Sequence, residues 1–308
     1  MLIDSGASTT WVMGDTCTDS VCKQHNTFGQ TDSTTFVNSS SPLKVNYGTG
    51  NVTGNWVNDT VEFAGFKIPF GFGVADRVSD QFNSYPLDGI LGLAVLPGND
   101  HPGFLSTLIS EGLLKQPIFS VNLHRSKDGT NDGSIVFGAI DSSKISGDIT
   151  YSPLDPAYPG QWMITSGDAG FNGKKAGLAG KRAVIDTGTS YIFIPPADAK
   201  LLYSTFPDAQ VSSNGDSYTV PCDTTTPAQF TFGGVTYEIS AKDWVGGKLD
   251  SGRCTSNIYS RDATAGADSE SIGAWLMGDT FLENAYTVFD VGASQIGETH
   301  GPSRSDYD

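Results

Sequence analysis

The chain has 308 residues, more than one compact core usually holds, and at about 150 residues per domain its length predicts two domains. Acidic residues outnumber basic ones 34 to 18, a net charge of −16 at pH 7 that disfavours nucleic acid and anionic membrane surfaces as partners, and no apolar run is long enough to span a bilayer. Only 17% of residues are charged while 37 are glycine, which excludes a coiled coil or helical solenoid, and the 38% hydrophobic and 11% aromatic content excludes disorder.

The opening Met1-Leu2-Ile3-Asp4 has neither the basic nor the apolar part of a secretory leader. Cys17, Cys22, Cys222 and Cys254 form an even set with no CxxC and no adjacent histidine, which favours two disulfides over zinc and so an oxidising compartment. Asn38, Asn51 and Asn58 each begin a glycosylation triplet, in keeping with that compartment. Either a leader and more are expected upstream of Met1, the favoured reading, or the protein never enters the secretory path. Short β-branched segments bounded by turn residues predict strands over 51–63, 134–139, 218–222, 230–240 and 286–291. Helical spacing is confined to 103–111, with Phe104, Leu105, Leu108 and Ile109, and to 196–206, with Ala199, Leu202, Tyr203 and Phe206 behind a proline start. The stretch 148–160, with three prolines and no period, reads as a linker, so the halves are expected to be 1–148 and 149–308.

An internal repeat ties the two halves together. Leu2-Ile3-Asp4-Ser5-Gly6 recurs as Val184-Ile185-Asp186-Thr187-Gly188, and at a similar offset Ile90-Leu91-Gly92 recurs as Leu276-Met277-Gly278. Each apolar pair reads as a buried strand, and each Asp-Ser/Thr-Gly as a tight turn whose glycine admits a second backbone. Duplication with pseudo-twofold symmetry is expected to bring equivalent turns to one interface, carrying two carboxylates together. Like charges at hydrogen-bond distance share a proton. The ionised member can then deprotonate water while the protonated one donates to a carbonyl oxygen, which is hydrolysis without metal or covalent intermediate.

These residues resemble the pepsin family of aspartic proteases. Asp4-Ser5-Gly6-Ala7-Ser8-Thr9-Thr10-Trp11-Val12 is similar to the family's first active-site motif, and Val184-Ile185-Asp186-Thr187-Gly188-Thr189-Ser190 to its second. Tyr47-Gly48-Thr49-Gly50 resembles the flap tip, Asp88-Gly89-Ile90-Leu91-Gly92-Leu93 the segment completing the first active-site turn, and Phe137-Gly138-Ala139-Ile140-Asp141 the end of the first lobe. Trp162-Met163-Ile164 and Gly278-Asp279-Thr280-Phe281-Leu282 resemble second-lobe signatures. The resemblance extends to about residue 297. It implies an all-β fold of two lobes, the pepsin-like double-ψ β-barrel with a few short helices, with the active site in the cleft between them.

The resemblance also implies roles. Asp4 and Asp186 would hold the nucleophilic water and polarise the scissile carbonyl, with Ser5, Gly6, Thr187 and Gly188 in the supporting turns and Thr189 giving a hydroxyl to Asp186. Gly6 and Gly188 would offer backbone N–H groups. Tyr47, with Gly48, Thr49 and Gly50, would close over the substrate, supported by Trp11. Phe82, Leu87, Ile90, Val184 and Leu276 would line subsites and favour hydrophobic residues beside the cleaved bond. Cys17 would pair with Cys22, and Cys222 with Cys254. The partners implied are polypeptide substrates and pepstatin-type inhibitors, with no cofactor and no metal. The expected protein is a secreted or vacuolar monomer made as a zymogen.

Three departures stand out. The sequence starts three residues before its first catalytic aspartate, where the family has an N-terminal segment of about thirty residues, so a strand edge of the first lobe is expected to lack its neighbour. Where the family's last strand is apolar, this chain reads Gln295-Ile296-Gly297-Glu298-Thr299-His300, which puts that strand in question, and the tail beyond Gly301 reads as disordered. Ala7 stands where the family has a serine or threonine.

Other chemistries find little in the residues. His25, His101, His124 and His300 are scattered and out of metal spacing, and no GxSxG elbow or phosphate loop is present. The acidic run from Asp128 to Gly133 lacks the later glutamate of a calcium loop and reads as a polar turn. A glycosidase would also use two carboxylates, but nothing else supports one. The competing reading from another class is a catalytically impaired relative that binds peptides or inhibits another enzyme.

Overall fold

The computed structural model describes residues 1–48, 50–95, 101–212, 215–262 and 273–300. Thr49 of the flap motif and the tail from Gly301 therefore lie outside the described residues. The described residues are mostly β-strand with a few short helices, and among them no helix is long and apolar enough to cross a membrane.

They divide into two compact units, one from residues 1–48, 50–95 and 101–114 with 159–161, the other from 115–158, 162–212, 215–262 and 273–300. The strand Ile118–Asn122 pairs with Ala285–Asp290 and Ser134–Phe137, so residues 115–148 pack with the second unit although they precede 148 in sequence.

The first unit is built on one six-stranded sheet, in spatial order Leu2–Asp4, Gly89–Gly92, Trp11–Met13, Phe66–Val78, Gly50–Phe63 and Val37–Tyr47. Leu2–Asp4 stands at one end of it. Val37–Tyr47 and Gly50–Phe63 form a hairpin closed by the pair Tyr47↔Gly50, so the expected flap motif is a hairpin tip. At Gly50 a Cβ would lie 2.5 Å from Ser79 Oγ and 2.9 Å from Phe82, a close approach only glycine allows. Trp11, Val45, Val52, Phe82, Leu87 and Ile90 share one core, with Tyr47 and Trp56 packed against it.

The second unit holds a larger sheet whose central strands are Met163–Phe171, Arg182–Ile185, Trp275–Met277 and Ile192–Ile194, and a five-stranded sheet ordered Ser134–Phe137, Ile118–Asn122, Ala285–Asp290, Gln295–His300 and Ser146–Pro153. Disulfides join Cys17 to Cys22 and Cys222 to Cys254.

Most predicted elements fall within a residue or two of those observed: strands Gly50–Phe63, Ser134–Phe137, Tyr218–Val220 and Ala285–Asp290, helices Phe104–Ser110 and Pro196–Ser204. Three expectations need correction. The single segment over 230–240 is a hairpin of Ala228–Phe232 and Val235–Ile239, because Gly233 and Gly234 both take positive φ (56° and 86°), the backbone of a two-residue turn that matches strand twist. The linker expected over 148–160 begins as strand Ser146–Pro153, which pairs with Gln295–His300 from the edge of the sheet, where a terminal proline leaves no ladder bond missing. The last strand, questioned for its polarity, forms all the same: Gln295–His300 is paired on both sides, and Ile296, Gly297, Glu298 and Thr299 are buried.

Candidate active site

In the first unit, Leu2–Asp4 runs parallel to Gly89–Gly92 with the register Leu2↔Ile90, Ile3↔Leu91, Asp4↔Gly92. In the second, Val184↔Leu276 and Ile185↔Met277 pair in parallel in the same way. The repeat found in the sequence is thus a repeat of strand pairing, and each aspartate sits at the end of the first strand of its pair. Each loop is locked by a glycine: a Cβ on Gly92 would lie 2.7 Å from Ala7 O, and one on Gly278 2.1 Å from Thr189 O.

Asp4 is 7% exposed, and its Oδ1 accepts a hydrogen bond from Ala7 N–H at 2.9 Å. Its carbonyl accepts from Leu93 N–H at 2.8 Å, which ties the turn to the end of the partner strand. Ser5 is buried beside it. The fully buried Trp11 donates from Nε1 to the Tyr47 hydroxyl at 2.8 Å, and both rings meet Phe82 edge-on, at 5.6 and 5.9 Å. Burial drives the Tyr47 phenol well above its ordinary value, against the Trp11 hydrogen bond, and the charge of Asp4 pushes it the same way. The phenol therefore stays neutral and keeps its proton for hydrogen bonding.

Asp186 is also 7% exposed. Its Oδ1 accepts from Gly188 N–H at 2.9 Å and its Oδ2 from the Thr189 hydroxyl at 2.7 Å. Thr187 is buried beside it. The loop Thr189–Tyr191 is held by the segment after Leu276-Met277: Gly278 N–H donates to Tyr191 O, Asp279 N–H to Thr189 O, and both Thr280 N–H and Oγ1 to Ser190 O. These bonds position the hydroxyl that supports Asp186.

The five apolar residues expected at subsites are largely buried. Phe82, Leu87 and Ile90 belong to the first unit's core, and Val184 and Leu276 pair side by side in the second. The sequons place Asn38, Asn51 and Asn58 on exposed positions of the two hairpin strands. Among the described residues no three His, Cys, Asp or Glu side chains are grouped to hold a metal.

Asp279, inside the 278–282 signature, is a residue to which the sequence alone assigns no role. Burial, then Glu283 and then Asp186, push its carboxyl up to about 8, so it is a neutral acid near Asp186 at acid pH. The signal was present in the repeat: the residue after Gly92 is Leu93, whereas the residue after Gly278 is an acid.

A family model described as eukaryotic aspartyl protease matches residues 1–300. The chain is 43% identical over 300 residues to a protein of Arthroderma benhamiae named "Probable aspartic-type endopeptidase CTSD", covering 96% of this chain and 57% of that one. It is 39% identical over 299 residues to aspartic-type endopeptidase ctsD of Aspergillus fumigatus (96% and 61%) and 32% identical over 306 residues to pepsin A of Bos taurus (96% and 79%). The chain spans a little under three-fifths of the length of the first of these relatives.

Proposed function

The chain belongs to the eukaryotic aspartyl protease family, and from that premise we propose that it is an aspartic-type endopeptidase acting at acid pH. One observation carries the proposal: in both units a buried aspartate closes the same parallel strand pair and receives an N–H from its own turn, Ala7 N–H in one and Gly188 N–H in the other. In the proposed reaction Asp4 and Asp186 share one proton. The ionised carboxylate takes a proton from water, the water oxygen bonds to the peptide carbonyl carbon, and the protonated carboxyl donates to the carbonyl oxygen. The resulting tetrahedral species collapses with proton transfer to the leaving amine, which breaks the C–N bond.

Tyr47, held by Trp11, is the proposed flap residue, closing over the substrate and excluding water. Phe82, Leu87, Ile90, Val184 and Leu276 are the proposed apolar subsite walls. The substrates would be polypeptides cleaved beside hydrophobic residues, and the protein a glycosylated monomer, made as a zymogen and secreted or delivered to a vacuole. Cleavage of a denatured protein at acid pH, abolished by pepstatin, is the expected result. A purified chain with no pepstatin-sensitive cleavage would leave only the reading of an impaired relative.

Ala7 makes the proposed pair unequal. Thr189 gives Asp186 a hydroxyl donor, whereas the methyl of Ala7 can offer none to Asp4. A donor to the ionised form lowers a carboxyl's pKa, so a hydroxyl at position 7 would favour the ionised form of Asp4. Ala7→Ser is expected to lower the two limbs of the kcat/KM profile by about one pH unit taken together, mostly on the alkaline side where the last proton leaves, equivalent to ~1.4 kcal/mol of added support for the Asp4 carboxylate. Two unmoved limbs would show that position 7 does not set the proton's place.

A further inference from the structure

Glu298 lies in the middle of Gln295–His300, with Thr287 of Ala285–Asp290 directly opposite on one side and Thr150 of Ser146–Pro153 on the other. Paired residues share a sheet face, so these three side chains form one row. The residue is 1% exposed. The hairpin Ala228–Ile239 covers this part of the sheet: Tyr237 donates its hydroxyl to Glu298 O at 2.9 Å, and a Cβ on Gly233 would lie 2.5 Å from Thr150. Within this packed row Glu298 Oε1 and Thr287 Oγ1 are both buried without a hydrogen-bond partner.

A carboxylate here would carry a full charge with no cation and no donor at Oε1, among the most costly arrangements a protein interior can hold, whereas the protonated acid costs far less. The titratable groups around it bring no relief. Tyr237 is a phenol whose own ionisation burial opposes, and His300, two residues along the strand, meets the Tyr237 ring at a tilt, 5.3 Å between centroids.

We propose that Glu298 is a proton-dependent fastener of the five-stranded sheet, holding the second unit together while its side chain is protonated and loosening it when the acid must ionise. Burial pushes this carboxyl from 4.5 up to about 8. A folded value above the unfolded one means that the stabilisation is complete below about pH 4.5 and is withdrawn as pH rises toward 8. The protein would thus be confined to acid surroundings by its fold, whatever its dyad does. Asp279, also raised to about 8, adds a share of the same sign, so replacing Glu298 alone removes part of the dependence.

The test is thermal unfolding of the whole chain across about pH 4.5 to 8, which needs no activity and so stands apart from the endopeptidase reading. The wild type is expected to lose Tm over that range. Glu298→Gln and Glu298→Leu should each lose markedly less, by about half the wild-type fall, and Glu298→Leu should be the more stable protein near pH 7.5. Glu111→Gln, at an exposed helix end, should keep the wild-type slope. If Glu298→Gln does not fold, Glu298→Leu carries the test by itself. A wild-type Tm that does not fall, or a Glu298→Leu protein that falls as steeply as wild type, overturns the proposal.

Discussion

Asp186→Asn is expected to give a folded protein with no measurable turnover, a loss on the order of 10⁴-fold or more in kcat/KM, as when one member of a catalytic unit is removed. The fold survives because the replacement is isosteric. Gly188 N–H can still donate to the remaining oxygen at the Oδ1 position, 2.9 Å away, and the Thr189 hydroxyl can turn from donor to acceptor opposite an amide. Only the exchangeable charge is lost. Asp4→Asn should cost as much, and the double variant no more than either single one, since groups acting as a unit are not additive. Unchanged circular dichroism and Tm with abolished cleavage is the expected pattern, and retained turnover in either single variant would refute the assignment.

Arg125→Met is expected to destabilise the second unit by about 3 to 5 kcal/mol, the usual cost of stranding one partner of a buried ion pair. Arg125 and Asp243 are almost wholly buried, joined in a fork with Nε to Oδ1 at 2.6 Å and Nη2 to Oδ2 at 2.8 Å. Asn284 Nδ2 also donates to Asp243 Oδ2, and Asn257 Nδ2 to Asp243 O. Without Arg125 that carboxylate keeps the Asn284 amide as a donor but has no cation. Asp243→Asn should cost less, because Asp128 still pairs with Arg125 at 3.2 Å. Urea midpoints at a fixed pH compare the two. Equal midpoints for wild type and Arg125→Met would show that the pair contributes nothing net.

What the sequence made legible follows from range. The repeated Asp-Ser/Thr-Gly turns and their apolar-apolar-Gly partners were readable because each is a run of adjacent residues that occurs twice, and the parallel registers around Asp4 and Asp186 correspond to them residue by residue. The helices were readable from their period. The Arg125–Asp243 fork was not, since it joins residues 118 apart that carry no local signal. The turn at Gly233-Gly234 was masked by the apolar residues on both sides of it, which read as one strand until φ is known. The closing strand failed in the opposite direction. Gln295, Glu298, Thr299 and His300 look wrong for a buried strand, yet backbone pairing on both sides outweighs their polarity. Asp279 was hidden because its importance depends on burial near Asp186, which composition does not report.

If the two halves descend from one ancestral segment, Gly92 and Gly278 record what that history could not alter. Around them the copies have drifted: Leu2 against Val184, Ser5 against Thr187, Ala7 against Thr189, Leu93 against Asp279. These exchanges include changes of size and of charge, Ala for Thr and Leu for Asp among them. At these two positions the smallest possible addition, a single methyl, would meet the carbonyl of the neighbouring turn. The glycines work as fixed spacers from which the age of the duplication cannot be read, while the residues packed around them keep the count.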